Sequence, residues 1–483
     1  MISITWPWLQ TIDLTLVAVV TLLIQLLGVA AAMEAILKTR TAPGAIAWSL
    51  SLVLMPMVMV PLYWVFGRRK FRGYAKARRR GKLDIHALAA NLNQNLDSHR
   101  PPGLDSHQQV LERIAQLPLT GGNHVELLID GDRCFAALFE AIDAARYYIL
   151  LEYYILRDDS LGLELRDRLL AKAQQGVSVY FLYDEIGSFQ LSRAYLNSLR
   201  AGGIEIRSFH TTKGRRNRFQ LNFRNHRKIC VVDGECALIG GSNIGDEYRH
   251  LHATLTPWRD TNLTVRGPAV QCLQLAFLED WYWACDQIPE LNWRPEAHPE
   301  SNVDVLALPT GPADRLETCA LSFHQLIQSA RRRLWIVSPY FVPDSGIVNA
   351  LQLAALRGVD VRLLLPEKPD RWLVWLSSFA YLDEVQGTGI EVYRYRAGFL
   401  HQKVWLIDDD CAMVGTSNLD NRSFRLNFEI GAVVYDRRFA QEVEQMLLAD
   451  FRQSRLLPRG ELAARGLPFR FAVRLAYLLA PIQ

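Results

Sequence analysis

One pattern occurs twice in this chain and limits its fold more than any other feature: a histidine and a lysine two residues apart, four apolar residues, an aspartate, and then a Gly-x-Ser-Asn word. The first copy is His226-Arg227-Lys228, Ile229 to Val232, Asp233, six residues and Gly240-Gly241-Ser242-Asn243. The second is His401-Gln402-Lys403, Val404 to Ile407, Asp408, six residues and Gly415-Thr416-Ser417-Asn418. The flanks repeat as well. Ile149 to Leu156, a helix-forming stretch and Gly176 to Tyr183 are echoed by Leu334 to Val342, a helix-forming stretch and Gly358 to Leu365. Short β-branched runs alternating with helix-forming segments are the pattern of βαβ units around a buried sheet, so each half is expected to be α/β. A repeat of this length exceeds a solenoid unit and implies two similar domains, residues 116–295 and 296–483, packed as an intrachain pseudo-dimer.

On an extended strand, residues two apart project from the same face, so each copy presents an imidazole beside an ammonium. The apolar run carries the strand inward, and Asp233-Gly234 and Asp408-Asp409 turn the chain. The returning strand brings Ser242-Asn243 and Ser417-Asn418 back to the His/Lys end. With the copies facing each other, His226, Lys228, His401, Lys403, Asn243 and Asn418 surround one phosphate-sized space, with Ser242 and Ser417 beside it. One imidazole can attack phosphorus while the other moves the protons of the leaving and incoming alcohols. The two lysines supply positive charge where negative charge develops, and the amides donate to the same oxygens. Asp233 and Asp408 complete the motif as candidate catalytic residues, although stabilising the turn suits them better. Asp260 and Glu429, each following a motif, are candidates to hold the second nitrogen of a histidine. The chemistry needs no metal and no other cofactor, and the histidine spacing makes no zinc set. His210, His250 and His324 carry no such context.

The first 70 residues differ in kind. Leu14 to Met33 is a run of twenty uncharged residues, and Thr41 to Gly67 is a second uncharged stretch. Each is long enough to cross a hydrocarbon core of about 30 Å, so two transmembrane helices are expected within residues 1–67, with Pro56 and Pro61 able to kink the second. No Lys or Arg precedes the first run, which disfavours a cleaved signal peptide. Residues 68–82 carry nine Lys/Arg and no acid, which places the large domain on the cytoplasmic side and suits anionic lipid headgroups. This basic stretch and the polar residues after it read as a linker over 68–115. Net charge is +4, so the rest of the chain sums to −5, which argues against bulk nucleic-acid binding. Seven cysteines without a CxxC pair read as reduced, buried thiols.

Five further words flank the motifs: Asn225-His226-Arg227-Lys228, Gly245-Asp246-Glu247-Tyr248, Trp258-Arg259-Asp260-Thr261, Pro339-Tyr340-Phe341-Val342-Pro343-Asp344 and Asp420-Asn421-Arg422-Ser423-Phe424. Together these resemble the HKD motif of the phospholipase D superfamily and, within it, the bacterial cardiolipin synthases, over nearly the whole chain. The resemblance implies two phospholipase D-like α-β-α sandwich domains on an inner-membrane protein. It also implies transfer of a phosphatidyl group from one phosphatidylglycerol to another with release of glycerol. Superfamily precedent makes His226 the nucleophile and His401 the acid/base, which the internal symmetry leaves open. Asn262 stands where the resemblance puts a histidine. Trp372 to Tyr381, the tail Phe469 to Leu479 and the basic loop Lys213 to Arg218 are candidates for contact with lipid, with core helix and solvated loop as the plainer alternatives. The motifs also fit a hydrolytic phospholipase D or a superfamily nuclease. The membrane segments favour the transferase over both.

Overall fold

The first apolar run folds as one helix, Leu14–Lys38, whose 25 residues span about 38 Å. The computed structural model describes residues 14–67, 70–80, 82–210 and 222–483. The chain divides into two units, Met1–Phe71 with Thr211–Asn222, and Arg72–His210 with Phe223–Gln483. Among the described residues, Leu14–Lys38 is the one helix both long and apolar enough to cross a membrane. The second run does not form a single span, which corrects the expectation of two. It breaks into Ala42–Leu54 and Pro56–Phe66, and Met55 between them sits at φ −136°, ψ 57°. The physical cause is Pro56, whose ring pushes the preceding residue out of helical conformation. Thirteen residues reach only about 20 Å. Within this unit Ala31, Ala32 and Ala35 of the long helix share a core with Leu52, Val60 and Tyr63.

The stretch from residue 72 to 115, expected as part of a linker, is largely helical. It forms the helices Arg72–Arg80, Lys82–Asp97 and Ser106–Ala115 and belongs to the second unit. Tyr74 donates to Asp280 at 2.6 Å, and Arg78 pairs with Glu279 and Asp314 at 2.9 and 3.1 Å. The charge of Arg78 is thus engaged inside the protein. Arg68, Arg69 and Lys213 to Arg218 lie outside the described residues.

In the second unit the two halves contribute to one sheet with matching strand orders. Outward from the middle, the first half runs Thr120–Ile129, Thr261–Arg266, Cys236–Gly240, Ile229–Val232, Tyr148–Tyr153, Ser178–Asp184 and Glu205–Phe209. The second runs Val303–Thr310, Asn427–Tyr435, Cys411–Gly415, Val404–Ile407, Arg333–Val337, Asp360–Pro366 and Glu391–Tyr395, with Ser454–Leu456 at its edge. Thr120–Ile129 pairs antiparallel with Val303–Thr310 and joins the halves. Each motif makes a hairpin, Ile229–Val232 with Cys236–Gly240 and Val404–Ile407 with Cys411–Gly415. Their turns need left-handed backbone at Asp233 (φ 54°) and Asp408 (φ 51°), which aspartate tolerates better than branched residues do. Parallel neighbours connected through helices flank each hairpin, so the strands are buried on both faces and read as unbroken apolar runs.

The aromatic stretch after residue 371 is the helix Trp372–Gln386. Trp372 and Leu373 in its first turn are exposed, whereas Phe379 and Tyr381 are buried. The tail helix Leu467–Leu478 packs on it, with the rings of Phe379 and Phe469 5.3 Å apart.

Candidate active site

The histidines and lysines lie just before the hairpin strands rather than within them, and the other half of the chain positions them. Arg224–Asn225 runs parallel to Asn427–Tyr435, and His226 N donates to Phe428 O at 2.9 Å. Phe399–Leu400 likewise runs parallel to Trp258–Arg259, and His401 N donates to Arg259 O at 2.8 Å. The side chains cross in the same way. His226 Nδ1 lies 2.9 Å from Glu429 Oε2, and His401 Nδ1 lies 2.7 Å from Asp260 Oδ2. A carboxylate at Nδ1 holds the proton there and leaves the Nε2 lone pair for chemistry. Lys228 Nζ donates to His226 O at 2.7 Å, while Lys403 Nζ donates to His401 O and lies 2.9 Å from His401 Nδ1. Lys403 bears electrostatically on both His226 and Lys228, so the two copies share one site.

The carboxylates are themselves held. Glu429 accepts from Thr416 Oγ1 (2.6 Å), Ser423 Oγ (2.8 Å) and Asn427 Nδ2 (3.0 Å). Asp260 accepts from Thr261 N at 2.9 Å, and a Cβ at Gly241 would meet its Oδ1 at 2.0 Å. The variable position of Gly-x-Ser-Asn therefore differs for a reason. Gly241 makes room for Asp260, and Thr416 donates to Glu429.

Not every motif residue lies beside the histidines. Asp233 accepts from the main-chain N of Arg146, Tyr147 and Tyr148 at 2.8 Å each, and Asp408 from those of Arg331, Arg332 and Arg333. Both sit at the turn end of the hairpin, away from the histidines, with their carboxylates engaged by main-chain donors there. The hydroxyls of Ser242 and Ser417 turn to the buried thiols of Cys134 and Cys319. Asn262 grips Ser242 at both its main-chain N and its hydroxyl, so this position, where a histidine was expected, braces the loop. Asn243 accepts from Ile155 N (3.0 Å) and donates to Tyr248 Oη (2.6 Å). Asn418 Oδ1 is buried with no partner among the described residues.

With this geometry in place, the comparisons are informative. A family described as "Cardiolipin synthase, PLD-like domain" matches residues 138–262 and 323–451, one match for each half. Cardiolipin synthase A of Pseudomonas entomophila is 47% identical over 465 residues, covering 95% of this chain and 97% of its own. The chain belongs to the cardiolipin synthase family. Cardiolipin synthase A of Pseudomonas aeruginosa is 48% identical, covering 95% of this chain and 94% of its own. A solved phosphatidylserine synthase from Haemophilus influenzae covers 82% of this chain and 100% of its own at TM-score 0.56 and 16% identity, a likeness of fold.

In this member of the cardiolipin synthase family, burial dominates the electrostatics. It lowers His226 and His401 to about 4, Lys228 to about 7 and Lys403 to about 8. Burial also works to raise Glu429 and Asp260, but their histidine and lysine neighbours outweigh it, leaving Glu429 at about 2 and Asp260 below its usual range. At neutral pH the imidazoles are neutral, the carboxylates charged, and the lysines close to losing their protons.

Sequence reasoning passed over the central residue of each motif. Arg227 pairs with Asp280 at 2.7 Å and donates to Glu429 O and Thr310 O, bracing the two halves together. Gln402 donates to Asp450, which also pairs with Arg259. Two adjacent acids late in a mostly apolar helix, Glu279 and Asp280 in Ala269–Cys285, were the available signal. The rings beside the histidines were also missed. Tyr154 lies 4.9 Å from His226, and Trp258 lies 5.3 Å from His401.

Proposed function

We propose that the chain is a cardiolipin synthase acting through a covalent phosphohistidine. Its support is the crossed pairing, His226 with Glu429 and His401 with Asp260, in a member of this family. His226 Nε2 attacks the phosphorus of one phosphatidylglycerol, the P–O bond to glycerol breaks, and His401, protonated at Nε2 once the anionic phosphodiester is bound beside it, gives that proton to the departing glycerol oxygen. The terminal hydroxyl of a second phosphatidylglycerol then passes its proton to His401 and attacks phosphorus. The P–N bond breaks, giving cardiolipin and neutral His226. Lys228, Lys403 and Asn418 stabilise the negative charge that develops on the phosphoryl oxygens, and Asn243 holds the facing loop.

In the same proposal the halves act as an intrachain pseudo-dimer. Leu14–Lys38 anchors the chain in a bacterial inner membrane, the short helices Ala42–Leu54 and Pro56–Phe66 enter the bilayer as a bent second element, and the catalytic unit lies on the cytoplasmic side.

Purified, detergent-solubilised protein given labelled phosphatidylglycerol should yield cardiolipin and glycerol, and His226→Ala and His401→Ala should yield neither. Phosphatidic acid as sole product would make the enzyme a hydrolase. Turnover surviving both substitutions would overturn the paired-histidine mechanism.

A further inference from the structure

Cardiolipin carries two phosphates joined through one glycerol, and the histidines handle only the donor's. The acceptor's own phosphodiester passes through the reaction intact, one glycerol away from the reacting phosphorus. It is a permanent anion, and a site that orients its lipid needs a cation there.

Three arginines from separate elements gather beside the nucleophile. Arg224 lies on the short strand Arg224–Asn225, next to Asn427. Arg422 is in the helix Asn421–Arg425, and Arg371 immediately precedes Trp372–Gln386. Tyr154 connects them to the chemistry. Its ring lies 4.9 Å from that of His226, Lys228 Nζ sits 5.4 Å from its centre, and both Arg371 and Arg422 act on it electrostatically. Burial, followed by Arg224, holds Arg422 below its usual range, with Arg371 adding to the same effect. Among the described residues Asp370, Asp420 and Asp184 face the group, and each has other partners: Asp370 accepts from Tyr340 Oη at 2.5 Å, Asp420 caps Ser423 N at 2.7 Å, and Asp184, which acts on Arg224, accepts from Asn225 N at 2.9 Å. Arg371 also lines a cleft with Tyr340, Val374, Trp375 and the buried Arg394, whose guanidinium donates to Pro366 O and Ser378 Oγ. The exposed Trp372 and Leu373 follow directly, so a charged end and an apolar end adjoin, as a phospholipid requires.

We propose that Arg224, Arg371 and Arg422 form the acceptor subsite, binding the unreacted phosphodiester of the second phosphatidylglycerol so that its terminal hydroxyl meets the phosphohistidine. This deepens the transferase reading and rests on it. Guanidinium groups suit the task because they stay charged at working pH and bind phosphate oxygens through paired N–H donors.

The test is competition between two acceptors at the same phosphohistidine. Full-length enzyme in detergent receives phosphatidylglycerol with ethanol, a neutral alcohol lacking a phosphate, and the ratio of cardiolipin to phosphatidylethanol is measured for wild type, Arg371→Gln and Arg422→Gln. Loss of one charge-assisted contact should lower that ratio roughly tenfold or more, with a higher KM for phosphatidylglycerol as acceptor. A ratio unmoved in both variants while both products form would overturn the subsite. If Arg422→Gln loses both products, the exposed Arg371→Gln decides. Wild type giving phosphatidylethanol but no cardiolipin would overturn the transferase reading, and the subsite with it.

Discussion

Replacing Glu429 with glutamine removes one negative charge from beside His226 while keeping the side chain's size. The imidazole becomes cationic as the P–N bond forms, so the carboxylate's charge matters most in the transition state. At the 2.9 Å separation of Nδ1 and Oε2, a charge pair under an effective dielectric near 20 is worth about 6 kcal/mol. Glutamine's carbonyl still accepts the Nδ1 proton, and the charge-assisted part of such a bond is about 1.5–3 kcal/mol. Between these bounds, phosphohistidine formation should slow by roughly 10²- to 10³-fold. The amide also turns a donor toward Ser423 and Asn427, which already donate to Glu429 Oε1, so thermal unfolding should show a further cost of about 1–3 kcal/mol. The assay is a single turnover with enzyme in excess over labelled phosphatidylglycerol, quenched in alkali to preserve the phosphohistidine. A folded Glu429→Gln enzyme within about fivefold of the wild-type rate would refute the argument, since even the smaller bound predicts more than that. So would energies for Glu429→Gln and His226→Ala that simply add, because groups acting as a unit overlap.

Further outcomes follow from the same geometry. Lys228 and Lys403, lowered by burial to about 7 and 8, are cationic below those values, so kcat/KM should fall as pH rises through that range. The acid limb should appear only near pH 4, where His226 protonates and can no longer attack phosphorus, and Lys228→Arg should move the alkaline limb upward. Asp280→Ala leaves Arg227 buried without its ion partner and should destabilise the protein by about 3–5 kcal/mol in urea unfolding. Asp233→Ala removes three main-chain hydrogen bonds at 2.8 Å and should cost about 2–4 kcal/mol of stability. Turnover per folded Asp233→Ala molecule should stay near wild type, and a loss comparable to His226→Ala would restore Asp233 to the catalytic group.

The motif chemistry was legible from spacing because it is local. Alternating apolar runs announced the hairpins Ile229–Val232 with Cys236–Gly240 and Val404–Ile407 with Cys411–Gly415, and aspartate at their turns follows from its tolerance of left-handed backbone. Two intact copies were enough to name the groups proposed to react. The second apolar run was misread because length and hydropathy were weighed above Pro56, whose effect on Met55 is also local and was available.

Which carboxylate serves which histidine was beyond the sequence. Glu429 follows the second motif yet holds His226, and Asp260 follows the first yet holds His401. Pairing between halves depends on the strands Arg224–Asn225 and Phe399–Leu400 crossing to the opposite half, contacts made across roughly 140 to 200 positions of chain. The arginines around Tyr154 are likewise scattered through the sequence and meet only after both halves are folded. Periodicity and turn chemistry act over a few residues and so determined the hairpins, the repeat and the reactive side chains. Long-range packing alone decided who faces whom, because the free energy of those contacts exists only once the sheet has closed across its middle.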